Sequence, residues 1–258
     1  MFPIALTFGP ITVYSYGLCL AMAFGAATIL SGWRARYIPE VTRSDVMDLA
    51  IIIITSSVVG ARMLYVIIDW EYYWAQPLKI FNLPEGGLVF YGGLIGAIIG
   101  AVLFSLFRGR NFWVIADMIS PGILLGQAIG RVGCFLNGCC YGQHTESWVG
   151  ILFKGSAGLV PRHPTQLYSA AANFLLVFVL LAIDRWFKRF PSSTFAWYVI
   201  LYGTFRFLIE FVRDDDRGGF FLGMITISQL ISLAGIALGL VLIIRGLSRL
   251  RNEEKKPL

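Results

Sequence analysis

The sequence is short of charge, of histidine and of paired cysteine. Of its 258 residues only 14% are Asp, Glu, Lys or Arg, against 57% hydrophobic, and the mean hydropathy is +0.72. That leaves too few polar residues to cover a soluble domain of this length. The 2 histidines, with no second CxxC and no HxxxH, argue against a zinc site completed by His144 or His163. Of the 4 cysteines, Cys19 lies inside an apolar run. Cys134, Cys139 and Cys140 cluster, but not in the paired pattern that staples a secreted scaffold. A disulfide within that trio is open on an oxidising face, and half-buried packing is its favoured role. No segment alternates like a barrel strand. No internal repeat is evident, which argues against a transporter of repeated halves. The opening "MFPIALTFGPITVYSYGLCLA" lacks a basic n-region and a small-residue cleavage site, so it reads as retained.

What is present is apolar length. Spanning the hydrocarbon of a bilayer takes roughly 20 helical residues, and seven stretches reach that scale: 12–32, 46–68, 87–107, 113–135, 165–184, 194–212 and 221–244. Lipid-exposed backbone must satisfy its own hydrogen bonds, so each is expected to be a helix. The fold class is an all-α polytopic integral membrane protein with seven transmembrane helices, a single domain over 1–258. The formal charge of +6 would suggest nucleic acid in a soluble chain; here the basic residues sit between spans as topology signals, and no nucleic-acid partner is implied. Arg34, Arg36, Arg43, Arg108, Arg110, Arg185, Lys188 and Arg189 share a side with the tail 245–258. The segments "DWEYYWAQPLKIFNLPEGG", 136–164 and "RDDDRGG" are poorer in Lys and Arg. The N-terminus is therefore expected outside and the basic tail in the cytoplasm, with 136–164 forming a small outer-face head segment.

Three arginines fall in or beside apolar spans: Arg62, Arg131 and Arg206. Each costs at least ~2.5 kcal/mol at a helix centre unless it meets a partner or water. Arg62, mid-span in "VVGARMLYV", reads equally as a snorkelling or acid-paired residue and as a functional one. Arg131 and Arg206 stand in dense polar settings. In "LYGTFRFLIEFVRDDD", the spacing of Tyr202, Arg206, Glu210 and Arg213 predicts that one helix face carries all four, with Glu210 orienting a guanidinium. In "GQAIGRVGCFLNGCCYGQ", Gly130 and Gly133 predict a close helix approach, and Gly138 and Gly142 a turn with exposed amides. Two guanidinium forks at one depth suit a phosphate-bearing lipid headgroup. In "VPRHPTQLYSAA", Pro164 and Thr165 mark a helix start. They place Arg162 and His163 at its entrance and Gln166 in its first turn, with Tyr168 on another side. His163 before proline reads first as a loop-anchoring hydrogen bonder. Tyr91 precedes Gly92 and Gly93, which suggests that something packs close beside its hydroxyl.

Taken in order, "YSYGLCLAMAFG", "GGLVFYGGLIG", "GRVGCFLNGCCYG", "RHPTQLY" and "YGTFRFLIEFVR" resemble the phosphatidylglycerol–prolipoprotein diacylglyceryl transferase family over nearly the whole chain. The third is similar to the signature G-R-[IV]-G-x-F-x-N-G-x-x-x-G. The resemblance implies an enzyme of the bacterial cytoplasmic (inner) membrane that begins lipoprotein maturation. It would move the diacylglyceryl group of phosphatidylglycerol to the lipobox cysteine of a prolipoprotein signal peptide, giving a thioether and glycerol phosphate. Neither cofactor nor metal is implied. Arg131 and Arg206 would hold the phospholipid, with Tyr16, Asn137, Gly142 and Glu210 around the pocket. The candidate catalytic set is Arg131, Arg206, Glu210, Tyr91 and His163; Tyr16, Asn137, Gly142, Tyr202 and Gln166 join the two arginines in substrate binding. Some members carry His where Tyr91 stands, so a histidine base is not carried over there. Others carry Asn at Cys134 and an acid at Cys139. These departures leave the phosphate clamp intact and the proton acceptor open. A transporter or binder of a phosphate-bearing lipid or anion is the alternative use of the arginines, and a thiol oxidoreductase the alternative use of the cysteines.

Overall fold

The computed structural model describes residues 1–9, 11–82, 86–153, 160–187, 190–214, 220–221 and 225–254. The charge signals at Lys188, Arg189, Asp215, Asp216, Arg217, Lys255 and Lys256, and part of the head segment at 154–159, lie outside the described residues. Seven helices are long and apolar enough to cross a membrane: α1 (Ser15–Ala35), α2 (Arg43–Ile68), α4 (Phe90–Phe107), α5 (Phe112–Asn137), α6 (Thr165–Phe187), α7 (Ser193–Ile209) and α8 (Ile227–Glu254). The expected all-α polytopic class is therefore observed. A short helix, α3 (Trp70–Ala75), follows α2. Large apolar side chains such as Ile29, Ile67, Leu175 and Ile244 face outward, the inverse of a water-soluble fold and the arrangement that lipid favours.

Strand pairs were not anticipated, and three small ones occur among the described residues. The hairpin β1 (Ile4–Phe8) and β2 (Ile11–Tyr14) precedes α1. The β-branched and aromatic run "ITVY" favours a strand, so α1 begins three residues later than its apolar stretch suggests. In the head, β3 (Ile151–Leu152) pairs with β4 (Pro161–Arg162). Before α8, β5 (Phe220–Phe221) pairs with β6 (Ile225–Thr226).

The chain divides into two compact units, Met1–Ser31 with Ala116–Leu258, and Gly32–Ile115. In the first, Leu124 of α5 meets Val177 and Leu180 of α6, with Tyr198 and Tyr202 of α7 packed against them. Lipid supplies no hydrophobic drive between helices, so close packing needs small residues. Gly133 of α5 abuts Cys19 of α1, and Gly239 of α8 abuts the Ala196 carbonyl of α7. Gly130, expected to do the same, has nothing within 4 Å of the position a Cβ would take. The buried Asp117 accepts from the backbone N–H of Ser192 at 2.9 Å and of Phe195 at 2.8 Å. It caps the start of α7, where a carboxylate also complements the helix dipole.

The second unit is a close pair of helices, α2 and α4. A Cβ on Gly60, Gly92 or Gly96 would overlap the facing backbone. α2 opens on a capping box between Thr42 and Asp45, and Arg110 donates to the same Asp45 carboxylate at 2.9 Å.

Candidate active site

The loop that leaves α5 meets the end of α7 and the start of α6 at Gly142. A Cβ there would press on the Val212 carbonyl at 2.5 Å, Thr165 Cγ2 at 2.7 Å and His163 Cβ at 3.0 Å, which belong to the turn that ends α7, the start of α6 and the residue just after β4. Only glycine fits. Its N–H donates to the His163 carbonyl at 2.8 Å, and it bridges Arg213 in antiparallel fashion. The amides expected to be exposed are thus engaged: Gly142 as above, and Gly138, at φ 75°, on the Phe135 carbonyl at 3.1 Å. Gln143 and His163 continue the joint, the first donating its N–H to Val212 at 2.9 Å and the second to Gln143 at 3.0 Å. α5, α6 and α7 are therefore tied at one end of this unit. Arg131 lies in the last two turns of α5 and Arg206 in the last turn of α7.

Arg131 is partly exposed, and among the described residues no hydrogen bond or ion pair engages its guanidinium. Tyr16, at the start of α1, lies within electrostatic reach of Arg131 and of Cys134, Cys139 and Cys140. Asn137 closes α5 with its side chain exposed and hydrogen-bonds Cys139. Two buried residues of α6 hold the loop that follows. Gln166 Nε2 donates to the Cys139 carbonyl at 2.7 Å, and Thr165 Oγ1 to the Cys140 carbonyl at 2.9 Å. Gln166 is therefore a residue that shapes the loop, and its buried Oε1 meets no protein donor among the described residues. The cysteines carry thiols. Bonding from Cys134 favours the Cys139 thiolate, but a shared hydrogen bond with Cys140 and partial burial outweigh it and hold this thiol above the usual cysteine range.

Arg206 is held by side chains. Its Nη1 pairs with Glu210 Oε2, and Nη2 donates to Ser228 Oγ at 2.8 Å. Thr226 Oγ1 donates to the other Glu210 oxygen at 3.0 Å. Thr226 also forms a capping box with Gln229, its N–H reaching Gln229 Oε1 at 3.0 Å and its Oγ1 accepting from Gln229 N–H at 3.2 Å. The start of α8 thus fixes the carboxylate that fixes the arginine. The expected four-residue stripe is broken. α7 ends at Ile209 and tightens into a 3₁₀ turn over Glu210–Val212, so Arg213 leaves the helix with extended backbone and is buried in the Gly142 joint. Tyr202 stacks on Tyr198, with centroids 5.8 Å apart and planes at 16°, beside the apolar core. Arg206 and Glu210 pair side chain to side chain across one turn.

His163 Nδ1 lies 3.2 Å from the Tyr168 hydroxyl, and its backbone forms two rungs of the joint, which is the anchoring role. Arg162 pairs with Asp214 and stacks over Tyr141 at 5.2 Å. Tyr91 belongs to the second unit, in the first turn of α4, 40% exposed. Gly92 and Gly93 beside it admit the backbone of α2, so the close neighbour they signalled is a helix. In the same unit Arg62 is buried and pairs with no acid among the described residues. It donates to five backbone carbonyls: Ile80 at 2.9 Å, Gly86 at 2.6 Å, Gly87 at 3.2 Å, Lys79 at 2.6 Å and Asn82 at 3.2 Å. The rings of Tyr65 and Tyr73 flank it at 5.8 and 5.2 Å.

Reading the sequence missed Thr226 and Ser228. The signal was present in "ITISQL", a polar cluster at the head of an apolar span, but what they bind is about twenty residues away in the chain.

Comparison with known proteins identifies the family. The family described as prolipoprotein diacylglyceryl transferase matches residues 3–245. Relatives named phosphatidylglycerol–prolipoprotein diacylglyceryl transferase are 35% identical in Oleidesulfovibrio alaskensis (93% of this chain, 91% of the relative), 37% in Aeromonas hydrophila (93% and 89%) and 36% in Bacillus cereus (93% and 90%).

Proposed function

Because the chain belongs to the prolipoprotein diacylglyceryl transferase family, we propose that the partners of this multi-pass membrane transferase of lipoprotein maturation are phosphatidylglycerol and the lipobox cysteine of a prolipoprotein signal peptide. The observation that carries this reading is Arg131: a guanidinium inside a membrane span with no acceptor among the described residues, in the same unit as a second arginine held by the side chains of Glu210 and Ser228. A planar cation so placed suits a phosphate diester. The lipobox thiolate attacks the glycerol carbon of the lipid, a C–S bond forms, and the C–O bond breaks with its electrons passing to the phosphate oxygen. Charge grows on that leaving phosphate, where preorganised guanidinium donors stabilise it most. Arg131 and Arg206 have this role. Glu210, locked by Thr226, is a positioning residue for Arg206. Tyr16 and Asn137 line the headgroup side, Gly142 and Gln166 hold the loop, and Tyr202 buttresses α7.

The attacking thiol must lose its proton. Cationic side chains nearby favour the thiolate, so a strong base is not required; His163 and Tyr91 are the acceptors proposed, each to be tested by its effect on the pH profile. The whole chain acts as one transferase domain in the bacterial inner membrane, N-terminus and 136–164 outside and tail in the cytoplasm, an orientation supported by the placement of Lys and Arg. Incubating the purified protein with phosphatidylglycerol and a lipobox peptide and weighing the peptide tests the reaction. A mass gain of one diacylglyceryl group on the cysteine is expected, and an unmodified peptide overturns it.

A further inference from the structure

The loop after α5 carries a second kind of chemistry. The Sγ atoms of Cys134, Cys139 and Cys140 all lie within 4.8 Å of one another, with Cys139 and Cys140 at 3.4 Å. Successive side chains in an extended chain point apart. Here Cys140 adopts a left-handed φ of 66°, unfavourable for a residue with a Cβ, and its sulfur comes alongside that of Cys139. The backbone is held in that shape from behind by Gln166 on the Cys139 carbonyl and Thr165 on the Cys140 carbonyl. The donors are sulfur alone: neither histidine joins the group among the described residues, and His163 Nδ1 is turned to Tyr168.

An ion about 2.3 Å from each of three sulfurs at the centre of a triangle requires edges of roughly 4 Å by the same bond length. The observed separations, from 3.4 Å to at most 4.8 Å, bracket that value. Soft thiolates select soft cations, and zinc is almost always completed by a fourth ligand. We propose that Cys134, Cys139 and Cys140 form a three-coordinate thiolate site for one copper(I)-class ion. Each sulfur exchanges its proton for a metal–sulfur bond, so three protons are released; the ion enters and stays monovalent, and nothing is oxidised. The site is separate from the arginine clamp in its chemistry and does not depend on the transfer reaction.

The test uses the purified full-length protein, reduced and with its thiols counted, titrated anaerobically with copper(I) against a coloured copper(I) chelator. One ion per chain is expected. Cys134→Ser, Cys139→Ser and Cys140→Ser should each weaken binding by at least ~100-fold, more than the loss of an outer-shell partner causes, while Cys19→Ser should bind as wild type. X-ray absorption on loaded wild-type protein should show three sulfur neighbours at about 2.3 Å, which decides the matter even where a variant folds poorly. Failure of the reduced protein to compete for copper(I), or undiminished binding in the triple serine variant, overturns the site. Tighter binding of zinc(II) than of copper(I) overturns its three-coordinate character.

Discussion

Arg62 in α2 reaches five backbone carbonyls and two aromatic rings, whereas Arg131 in α5 has no hydrogen-bonding protein partner among the described residues. Both are guanidinium groups within apolar helices, and each would cost several kcal/mol there without compensation. For Arg62 the compensation is internal: the carbonyls of Lys79, Ile80, Asn82, Gly86 and Gly87 converge on one planar cation. For Arg131 no such compensation is seen among the described residues, which is why an anion is proposed there. Arg206 lies between, held by Glu210 and Ser228, side chains that can share a donor with an incoming phosphate. An arginine saturated by backbone builds structure, and one left with donors to offer is the one proposed to meet a ligand.

The largest effects should fall on the unsaturated arginines. Arg131→Ala and Arg206→Ala are each expected to lower the transfer rate by roughly 10²–10³ at saturating phosphatidylglycerol, the usual cost of one preorganised donor. Arg131→Lys and Arg206→Lys should also be badly impaired, because an ammonium lacks the planar fork. Near-normal turnover in either lysine variant, measured on folded protein, would reduce the clamp to a general basic pocket.

Arg62→Ala should do the opposite. Leaving several buried carbonyls unpaired costs on the order of 3 kcal/mol or more, so folded yield and thermal midpoint in detergent fall while turnover per folded molecule stays within a few fold. A rate loss as deep as that of Arg131→Ala, with stability unchanged, would erase the distinction between the two residues.

A smaller loss, about tenfold, is expected for Glu210→Gln. The amide preserves a hydrogen bond to Arg206 but removes the charge assistance that roughly doubles its strength. Thr226→Val should act in the same direction through Glu210. If kcat is unchanged in both, Glu210 serves only to join α7 to α8.

The mildest comparison is between two glycines one turn apart. Gly133→Ala presses on Cys19 Cβ at 2.8 Å, whereas Gly130→Ala meets nothing within 4 Å. The first should lower the thermal midpoint by the equivalent of about 1–3 kcal/mol, as overpacking does, and the second should be near neutral. Equal effects would show that the α1–α5 contact does not rest on Gly133.

Much of this was legible in the sequence, and for particular reasons. The seven spans follow from apolar length, and most of their ends fell within a few residues: "ITVY" paired as a strand before the first, while the last helix began late, after the β5–β6 pair, and ran on to Glu254, well past the expected end at 244 and into the basic tail. The arginines were visible as charge in apolar surroundings. Their division into structural and ligand-facing was not, since Arg62 and Arg131 look alike in one dimension. Helical spacing put Arg213 beside Glu210, but the Gly142 joint pulled it out of the helix.

The sequence by itself determined the bilayer as solvent, the number of crossings, the family and the cost of each buried cation, because these depend on composition and on order along the chain. The tertiary structure decided which cation finds its partners at home. Backbone carbonyls are available at every residue, so no pattern of side chains announces which guanidinium they will saturate. The carbonyls that converge on Arg62, and the meeting of α6 with the end of α7 at Gly142, appear only once the chain is folded.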